Sequence, residues 1–144
     1  MKIFTIGFTK KSAEEFFSRL QNSGASRVVD VRLNNVSQLA GFAKKDDLQF
    51  FLREIAGMEY MHLPVLAPTQ AMLDAYRKQK GGWASYERAF LKLIEERQIA
   101  KVLSREVFDA GCLLCSEDAA EHCHRRVIAE YLQERWKDVV IVHL

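Results

Sequence analysis

The 144-residue sequence has no long hydrophobic run and very little net charge. A helix that crosses a membrane needs about 20 consecutive apolar residues, and the chain has no such stretch, so we expect no membrane partner. The formal net charge is only +2, which is too small to predict nucleic-acid binding from bulk electrostatics. A local basic patch could still bind nucleic acid, and this alternative stays open.

Cysteine is also scarce, which bears on the compartment. The three cysteines, Cys112, Cys115 and Cys123, cannot all pair within one chain, and they cluster near its C-terminal end. The apolar start at residues 1–7 is too short for a secretory signal. Since reduced thiols are usual in chains without such a signal, we expect a cytoplasmic protein.

The standard signatures of catalysis and metal binding are missing. The sequence has no phosphate-binding loop and no Ser-His-Asp order that would indicate a reaction class. Cys115, Cys123 and His124 are side chains that zinc accepts, but they form no Cys-x-x-Cys pair, and no second ligand pair of standard spacing accompanies them. A fourth ligand would have to be a carboxylate or His62. The spacing therefore predicts no metal site, and the sequence leaves the cofactor unknown.

What the sequence does contain is an alternation of strand-like and helix-like segments. Apolar and β-branched runs between turn or polar residues predict strands at Lys2–Ile6, Arg27–Val31, Gly111–Cys115 and Val139–His143, with a weaker candidate at Glu59–Leu63. Helical spacing of apolar residues predicts helices after Ser12 as far as Gly24, over Asp46–Ala56 and Ala84–Arg97, around Ala100–Phe108, and from Asp118 to about Trp136. Alternation of this kind is typical of a parallel sheet flanked by helices.

Two details complete the predicted architecture. Asp118 is expected to open the last helix because Glu121 follows at capping-box spacing. The polar segment Leu33–Lys45 is predicted to be a loop, and Pro64–Trp83 an irregular or partly helical excursion. With no linker or repeat, we predict a single α/β domain over residues 1–144, with a mostly parallel sheet of about four to five strands flanked by helices.

Polar residues collect after three of the predicted strands. They are Gly7 and Thr9 after the first, Asp30 and Arg32 after the second, and Cys115 and Glu117 after the fourth. Ligands of open parallel sheets bind in the crevice beyond the carboxyl ends of the strands. We therefore expect one common site at this edge.

The last predicted helix would bring three more polar residues to that site. Residues four apart share a helix face, so Cys123 and His124 should point inward with Val127 and Ile128, next to Cys115. A helix N-terminus favours anions and lowers the pKa of a thiol.

These residues suggest an enzyme that acts on an anionic, phosphate-bearing or nucleotide-like small molecule or a nucleic-acid fragment. The candidate nucleophiles are Cys115 and Cys123, and the candidate acid–base groups are Glu117, Asp30 and His124. Anion binding is expected from Arg32 and Arg125, with Thr9 and the loop residue Lys44 as further substrate-binding candidates.

Two alternatives stay open. The same cleft could bind a ligand without chemistry. Alternatively, Asp30–Arg32 and Glu117–Arg125 could be structural ion pairs and the cysteines could be packing residues, as Cys112 is expected to be. The sequence predicts neither the substrate nor the oligomeric state.

Two stretches of this chain together resemble a known family. They are Thr5-Ile6-Gly7 with Asp30-Val31-Arg32, Leu33-Asn34-Asn35, Ser37 and Gly41-Phe42, and then Leu113-Leu114-Cys115-Ser116-Glu117 with His122-Cys123-His124-Arg125-Arg126. The pattern spans almost the whole chain and resembles the domain of unknown function 488 family.

The resemblance implies a compact α/β domain and a shared site, but no known reaction. The matching site positions are Gly7, Asp30, Arg32, Phe42, Cys115, Glu117, Cys123, His124 and Arg125. Many relatives carry a histidine–serine pair after the first glycine and a proline after the Asp-Val-Arg triplet. Here Phe8-Thr9 and Leu33 stand at those places, so no role of that histidine is carried over.

Overall fold

The computed structural model describes residues 1–36, 40–78 and 82–144. In these ranges a five-stranded sheet, all of it parallel, is flanked by seven α-helices. The strands are β1 (Lys2–Gly7), β2 (Arg27–Asp30), β3 (Glu59–His62), β4 (Gly111–Cys115) and β5 (Val140–His143). The helices are α1 (Ala13–Ser23), α2 (Lys45–Phe51), α3 (Gln70–Lys78), α4 (Trp83–Glu96), α5 (Ile99–Val102), α6 (Arg105–Phe108) and α7 (His124–Trp136). The predicted α/β fold is confirmed, and the weaker strand candidate is β3.

The strand order is β3-β2-β4-β1-β5, which places β4 at the centre of the sheet. All five residues of β4 are buried, as expected for a short apolar strand covered on both faces. Its neighbours β2 and β1 run parallel to it, so their carboxyl ends lie at the same edge. The edge strands β3 and β5 are more exposed.

Alternate strand residues build two apolar cores, one on each face of the sheet. On one face Val28 and Cys112 pack with α1 and α2. On the other face Val29 and Leu113 pack with α4 and α7, and α3 covers part of that core. The segment Pro64–Trp83, predicted to be irregular or partly helical, contributes a short 3₁₀ turn at Pro64–Leu66 and then α3.

Helix α1 begins and ends as its sequence predicts. The Ser12 hydroxyl accepts a hydrogen bond from the Glu15 amide at 3.1 Å, which satisfies one of the free donors at the helix start. Gly24 follows the helix with φ +88°, a conformation that glycine adopts without steric cost. Helix α2 begins at Lys45, one residue before its predicted start, and continues into a wider π turn at Leu52–Ala56 before Gly57.

Two helix predictions are wrong. The segment predicted as one helix over Ala100–Phe108 is split into α5 and α6, because Ser104 caps a new helix start by accepting from the Glu106 amide at 3.2 Å. The last helix begins at His124, with Cys123 as its N-cap residue, and not at Asp118. The Asp118 carboxylate instead accepts a hydrogen bond from Lys11 Nζ at 2.5 Å.

The sequence also predicted a loop after β2 and no helix that crosses a membrane. In its described part the predicted loop Leu33–Lys45 is a loop with a 3₁₀ turn at Gly41–Ala43, except that Lys45 already belongs to α2; Ser37 lies outside the described residues. Within the described ranges, no helix is long and apolar enough to cross a bilayer.

Candidate active site

The carboxyl ends of three strands meet at one edge of the sheet. Gly7 of β1 lies beside Cys115 of β4, and Asp30 of β2 lies beside Leu114 of β4. Directly beyond β2, the Val31 amide donates to the Leu114 carbonyl at 3.1 Å. The expected juxtaposition of Gly7, Asp30 and Cys115 is therefore confirmed.

A cleft of about 370 Å³ opens at this edge, which is the size of a small-molecule site. Five of the residues predicted from the sequence line it: Arg32, Cys115, Glu117, Cys123 and His124. Its opposite wall comes from α3 and the start of α4, with Tyr76, Arg77, Trp83 and Tyr86.

Two thiols and an imidazole form a cluster on one side of the cleft. The Cys115 sulfur ends β4, and the turn at the start of α7 brings Cys123 and His124 to it. Cys115 Sγ lies 3.5 Å from His124 Nδ1, and the ligand atoms of the three residues all lie within 4.8 Å of one another. We call Cys115, Cys123 and His124 the Cys–His cluster.

A backbone carbonyl orients the imidazole of the cluster. His124 Nε2 lies 2.8 Å from the Val31 carbonyl oxygen. Since a carbonyl oxygen only accepts, Nε2 must carry a hydrogen, and in a neutral ring Nδ1 then has the free lone pair. The Phe90 ring packs edge to face against the imidazole, with 5.2 Å between the ring centroids. The Nδ1 lone pair is thus free of a proton, and the Cys115 sulfur lies over the ring, 3.5 Å from Nδ1 and 3.8 Å from Nε2.

The three cysteines have different acidities because their surroundings differ. A hydrogen bond from Cys123 lowers the pKa of Cys115, and the Ser116 amide and the charge of Arg125 lower it further. Burial acts in the opposite direction but is outweighed. The same hydrogen bond, together with burial, raises the pKa of Cys123. Burial raises the pKa of Cys112. Cys115 is therefore the thiol that ionises most readily.

The buried pair of Asp30 and Arg32 is the second feature of the site. The Asp30 carboxylate accepts from the Arg32 amide, from Arg32 Nε at 2.9 Å and from Arg32 Nη2 at 2.8 Å, and the Tyr60 hydroxyl donates to it at 2.6 Å. Burial alone would raise the pKa of Asp30, but the bonds and charge of Arg32 and the Tyr60 hydroxyl lower it. A carboxylate with this many donors is a poor proton acceptor. Asp30 thus holds Arg32 and is not placed to act as a base.

The guanidinium of Arg32 keeps one nitrogen free of partners. Arg32 is 3% exposed, and its Nη1 has no hydrogen-bond partner among the described residues. Arg32 Cζ lies 5.3 Å from the centroid of the Phe8 ring, which packs against the guanidinium. His62 Nε2 donates to the Arg32 carbonyl oxygen at 2.8 Å. Buried charged groups without a partner are uncommon in native proteins, and among the described residues Arg125 Nε is the other buried side-chain nitrogen without one.

The loop that follows β4 is anchored by residues that the sequence predicted to bind substrate. Thr9 donates to the Ser116 carbonyl through its amide at 3.1 Å and its hydroxyl at 2.8 Å. Arg125, 1% exposed, donates from Nη1 to the Glu117 carbonyl at 2.6 Å and from Nη2 to the Asp118 carbonyl at 3.1 Å. Both residues hold the loop, and neither lines the cleft.

Gly7 makes room for this loop. A Cβ at Gly7 would collide with the backbone carbonyl of Glu117 and would approach Arg125 Nη1. The glycine is therefore needed for the close passage of the loop over the end of β1. The Glu117 side chain itself is exposed and lines the cleft.

Phe42 and Lys44 lie away from the cleft. The Phe42 ring packs with Phe16 and Phe17 in the core on the opposite face of the sheet, at 5.2 and 5.9 Å between ring centroids. Lys44 is exposed and immediately precedes α2. The structure thus brings together most of the predicted site residues, but not these two.

Sequence reasoning missed the aromatic wall of the cleft. Trp83 and Tyr86 show the helical spacing of core residues, and indeed they pack against Tyr76, but all three also line the cleft. His122 lies in the turn before α7 and stacks on Trp83, with 5.3 Å between the ring centroids. No local signal in the sequence distinguishes these positions from ordinary core or surface residues.

The fold and the site together define an α/β protein with a strand-end cleft that holds a thiol–imidazole cluster and a buried arginine. The chain belongs to the family described as Domain of unknown function DUF488, whose model matches residues 12–132. This range contains the cleft residues, while Gly7 and Thr9 precede it. No curated protein and no solved structure matches the chain.

Proposed function

We propose that this protein is a cytoplasmic enzyme that binds an anionic, phosphate-bearing small molecule in the strand-end cleft and acts on it beside the Cys–His cluster. The single observation that carries the proposal is the buried, unpaired Nη1 of Arg32 in the same cleft as that cluster.

The contacts of Arg32 support anion binding. Asp30 takes up Nε and Nη2, which fixes the plane of the guanidinium and leaves the donors of Nη1 unused. Leaving a buried donor unpaired costs about 1–3 kcal/mol, and more for a charged group. A phosphate or carboxylate oxygen in the cleft would supply the missing acceptor. The exposed Arg77 on the opposite wall adds a second positive charge.

The reactive groups lie beside this anion position. The Cys–His cluster offers two sulfurs and one imidazole nitrogen, which are nucleophilic or metal-binding groups. The exposed Glu117 carboxylate is the acid–base candidate that lines the cleft, since Asp30 is occupied by Arg32.

The aromatic wall favours a nucleotide-like substrate. Tyr76 and Trp83 are partly exposed and line the cleft opposite Arg32. Aromatic side chains bind planar rings by stacking. A molecule with both a planar ring and a phosphate would use the wall and Arg32 together.

The test is the melting temperature of metal-free protein, in the presence of a chelator, with and without phosphate, sulfate and nucleoside monophosphates. We expect the melting temperature of the wild type to rise with at least one phosphate-bearing ligand. Arg32→Lys should lose most of this rise because lysine lacks the planar fork. The exposed Arg53→Lys is the matched control and should keep it. A wild type that responds to none of these ligands would make Arg32 a scaffold residue and overturn the proposal.

A binding module without chemistry is the second candidate. It is favoured by the low exposure of the two thiols, 5% for Cys115 and 2% for Cys123, which limits access for a ligand held at Arg32. Incubation of the bound ligand with wild type and Cys115→Ser, followed by mass analysis of the ligand, separates the two functions. An enzyme converts the ligand only with Cys115 present, whereas a binding module leaves it unchanged in both.

A further inference from the structure

We propose that Cys115, Cys123 and His124 bind one zinc-type divalent ion, with a fourth coordination position open to the cleft. Among the residues that the structure describes, this is the one group of three or more Cys, His, Asp or Glu side chains whose ligand atoms converge. The inference deepens the proposed function, since it rests on the cleft as the place where substrate binds. It departs from the expectation based on sequence spacing, because the ligands converge through the fold.

The distances within the Cys–His cluster fit tetrahedral zinc. Zinc binds sulfur at about 2.3 Å and nitrogen at about 2.0–2.1 Å, so two such ligands on a tetrahedral ion lie roughly 3.5 Å apart. Cys115 Sγ and His124 Nδ1 lie 3.5 Å apart, and Cys123 Sγ lies within 4.8 Å of both ligand atoms. The His124 ring would need to turn its Nδ1 lone pair toward Cys115, because the Cys115 sulfur now lies 3.8 Å from Nε2 as well, and the Cys123 side chain would adjust with it.

The imidazole is oriented as a metal ligand. Histidines that bind metals usually donate their other ring N–H to a carbonyl or carboxylate, which holds the tautomer and the ring orientation. His124 makes this contact through Nε2 to the Val31 carbonyl at 2.8 Å. Its Nδ1 therefore carries no hydrogen and is available as a ligand atom once the ring turns toward an ion beside Cys115.

The ligand set indicates the type of ion. Two thiolates and one imidazole suit zinc and other soft or borderline ions, whereas magnesium and calcium prefer oxygen. Three protein ligands and an open position are typical of catalytic zinc, while structural zinc has four protein ligands. All three residues line the cleft that Arg32 also lines, so we expect the open position to face this cleft. There the ion would polarise a bound oxygen.

The experiment begins with reduced protein that a chelator has stripped of metal. Zn²⁺ is titrated by calorimetry, and Co²⁺ by absorption, since thiolate-to-cobalt charge transfer reports bound sulfur. We expect one ion per chain and a charge-transfer band.

The variants assign the ligands. Changes in the second shell alone weaken metal sites about 10- to 100-fold, so Cys115→Ser and Cys123→Ser should weaken binding at least as much. Cys112→Ser is the matched control, because this buried cysteine belongs to the core on the other face of the sheet. It should bind zinc as the wild type does. Melting curves verify that each variant is folded.

A wild-type measurement covers the case in which a serine variant does not fold. Zn²⁺ should slow alkylation of Cys115 and Cys123, located by peptide mass mapping. Absence of stoichiometric binding, or binding that both serine variants retain, overturns the metal site.

The failures of the two proposals are distinguishable. If phosphate still stabilises the metal-free wild type, the anion site stands and the cluster acts through its thiols alone. If zinc binds but no anion does, the metal site stands and the proposed substrate class falls.

Discussion

Two cysteines of the same strand illustrate how the interior of the sheet differs from its carboxyl edge. Cys112 lies between Phe4 and Val28 on the neighbouring strands and packs in an apolar core. Cys115, three residues further on, points to the opposite face and contacts His124. Burial is nearly complete at both, yet burial raises the pKa of Cys112 while the hydrogen bond from Cys123 lowers that of Cys115. Partners, and not burial, thus decide which thiol has the lower pKa.

The same contrast extends beyond the cysteines. Six described residues are both buried and polar or charged: Thr5, Asp30, Arg32, Asn35, His124 and Arg125. All except Thr5 belong to the carboxyl edge and its loops. The described core is thus apolar inside the sheet and polar at one edge. Substitutions at the edge, and labelling of the thiols at both places, test this difference between edge and interior.

Asp30→Asn should have the largest effect on stability. Removing one partner of a buried ion pair costs about 3–5 kcal/mol, and Arg32 would lose its carboxylate while it stays buried. Chemical denaturation of wild type and variant at pH 7 measures the difference. A loss below about 1 kcal/mol would contradict the view that this pair holds the edge together.

The effect of Asp30 should depend on pH in a defined direction. The pKa of Asp30 is lowered from its ordinary value of 3.8 in the folded protein. Its contribution to stability is therefore complete above that value and is lost as the pH falls through the lower folded-state pKa. The difference in unfolding free energy between wild type and Asp30→Asn should stay constant near neutral pH and narrow below pH 3.8. A difference that does not change with acidification would show that folding does not lower the pKa of Asp30.

Gly7→Ala should be the next largest change. The added methyl group collides with the Glu117 carbonyl, and overpacking of this kind costs about 1–3 kcal/mol. The loop that carries Glu117 must move, so anion binding should also weaken. Gly41→Ala is the control, since its Cβ would meet no atom within 4 Å. Equal melting temperatures of the two variants would show that the loop does not need Gly7.

Gly7 and Asp30, which these experiments change, also show what the sequence can predict. Gly7 and Asp30 were expected at one edge because strand ends follow from local hydrophobic patterns and parallel order follows from the alternation of strands and helices. The strands, most helices and the meeting of Gly7, Asp30 and Cys115 were predicted in this way. These features need only short-range information and general rules of topology.

The parts that sequence missed depend on contacts between distant residues. Asp118 bonds to the distant Lys11 and opens no helix, and α7 begins later than predicted. The turn that results brings Cys123 beside Cys115 with no standard metal-ligand spacing. Helix α3 then places Tyr76 on the far wall of the cleft. None of these contacts leaves a periodic signal in the sequence.

Alkylation of the metal-free protein should separate the three thiols. Cys115 has a lowered pKa and lines the cleft, so iodoacetamide should label it first at neutral pH. Cys112 should be labelled only after unfolding. Peptide mass mapping against time gives the order. Equal rates for Cys112 and Cys115 would remove the contrast between interior and edge.

Tyr60→Phe should have the smallest effect and tests how finely the edge is arranged. The change removes one hydroxyl that donates to Asp30 at 2.6 Å and leaves the Arg32 bonds in place. A hydrogen bond to a charged group is worth about 1.5–3 kcal/mol, and we expect a loss near the lower end because Arg32 still satisfies the carboxylate. The loss should therefore be clearly smaller than that of Asp30→Asn in the same denaturation experiment. Phosphate should still stabilise the variant, since Arg32 remains oriented by Asp30. If Tyr60→Phe instead abolished the phosphate response, Tyr60 would hold Arg32 in its binding position through Asp30, and the ion pair alone would not suffice.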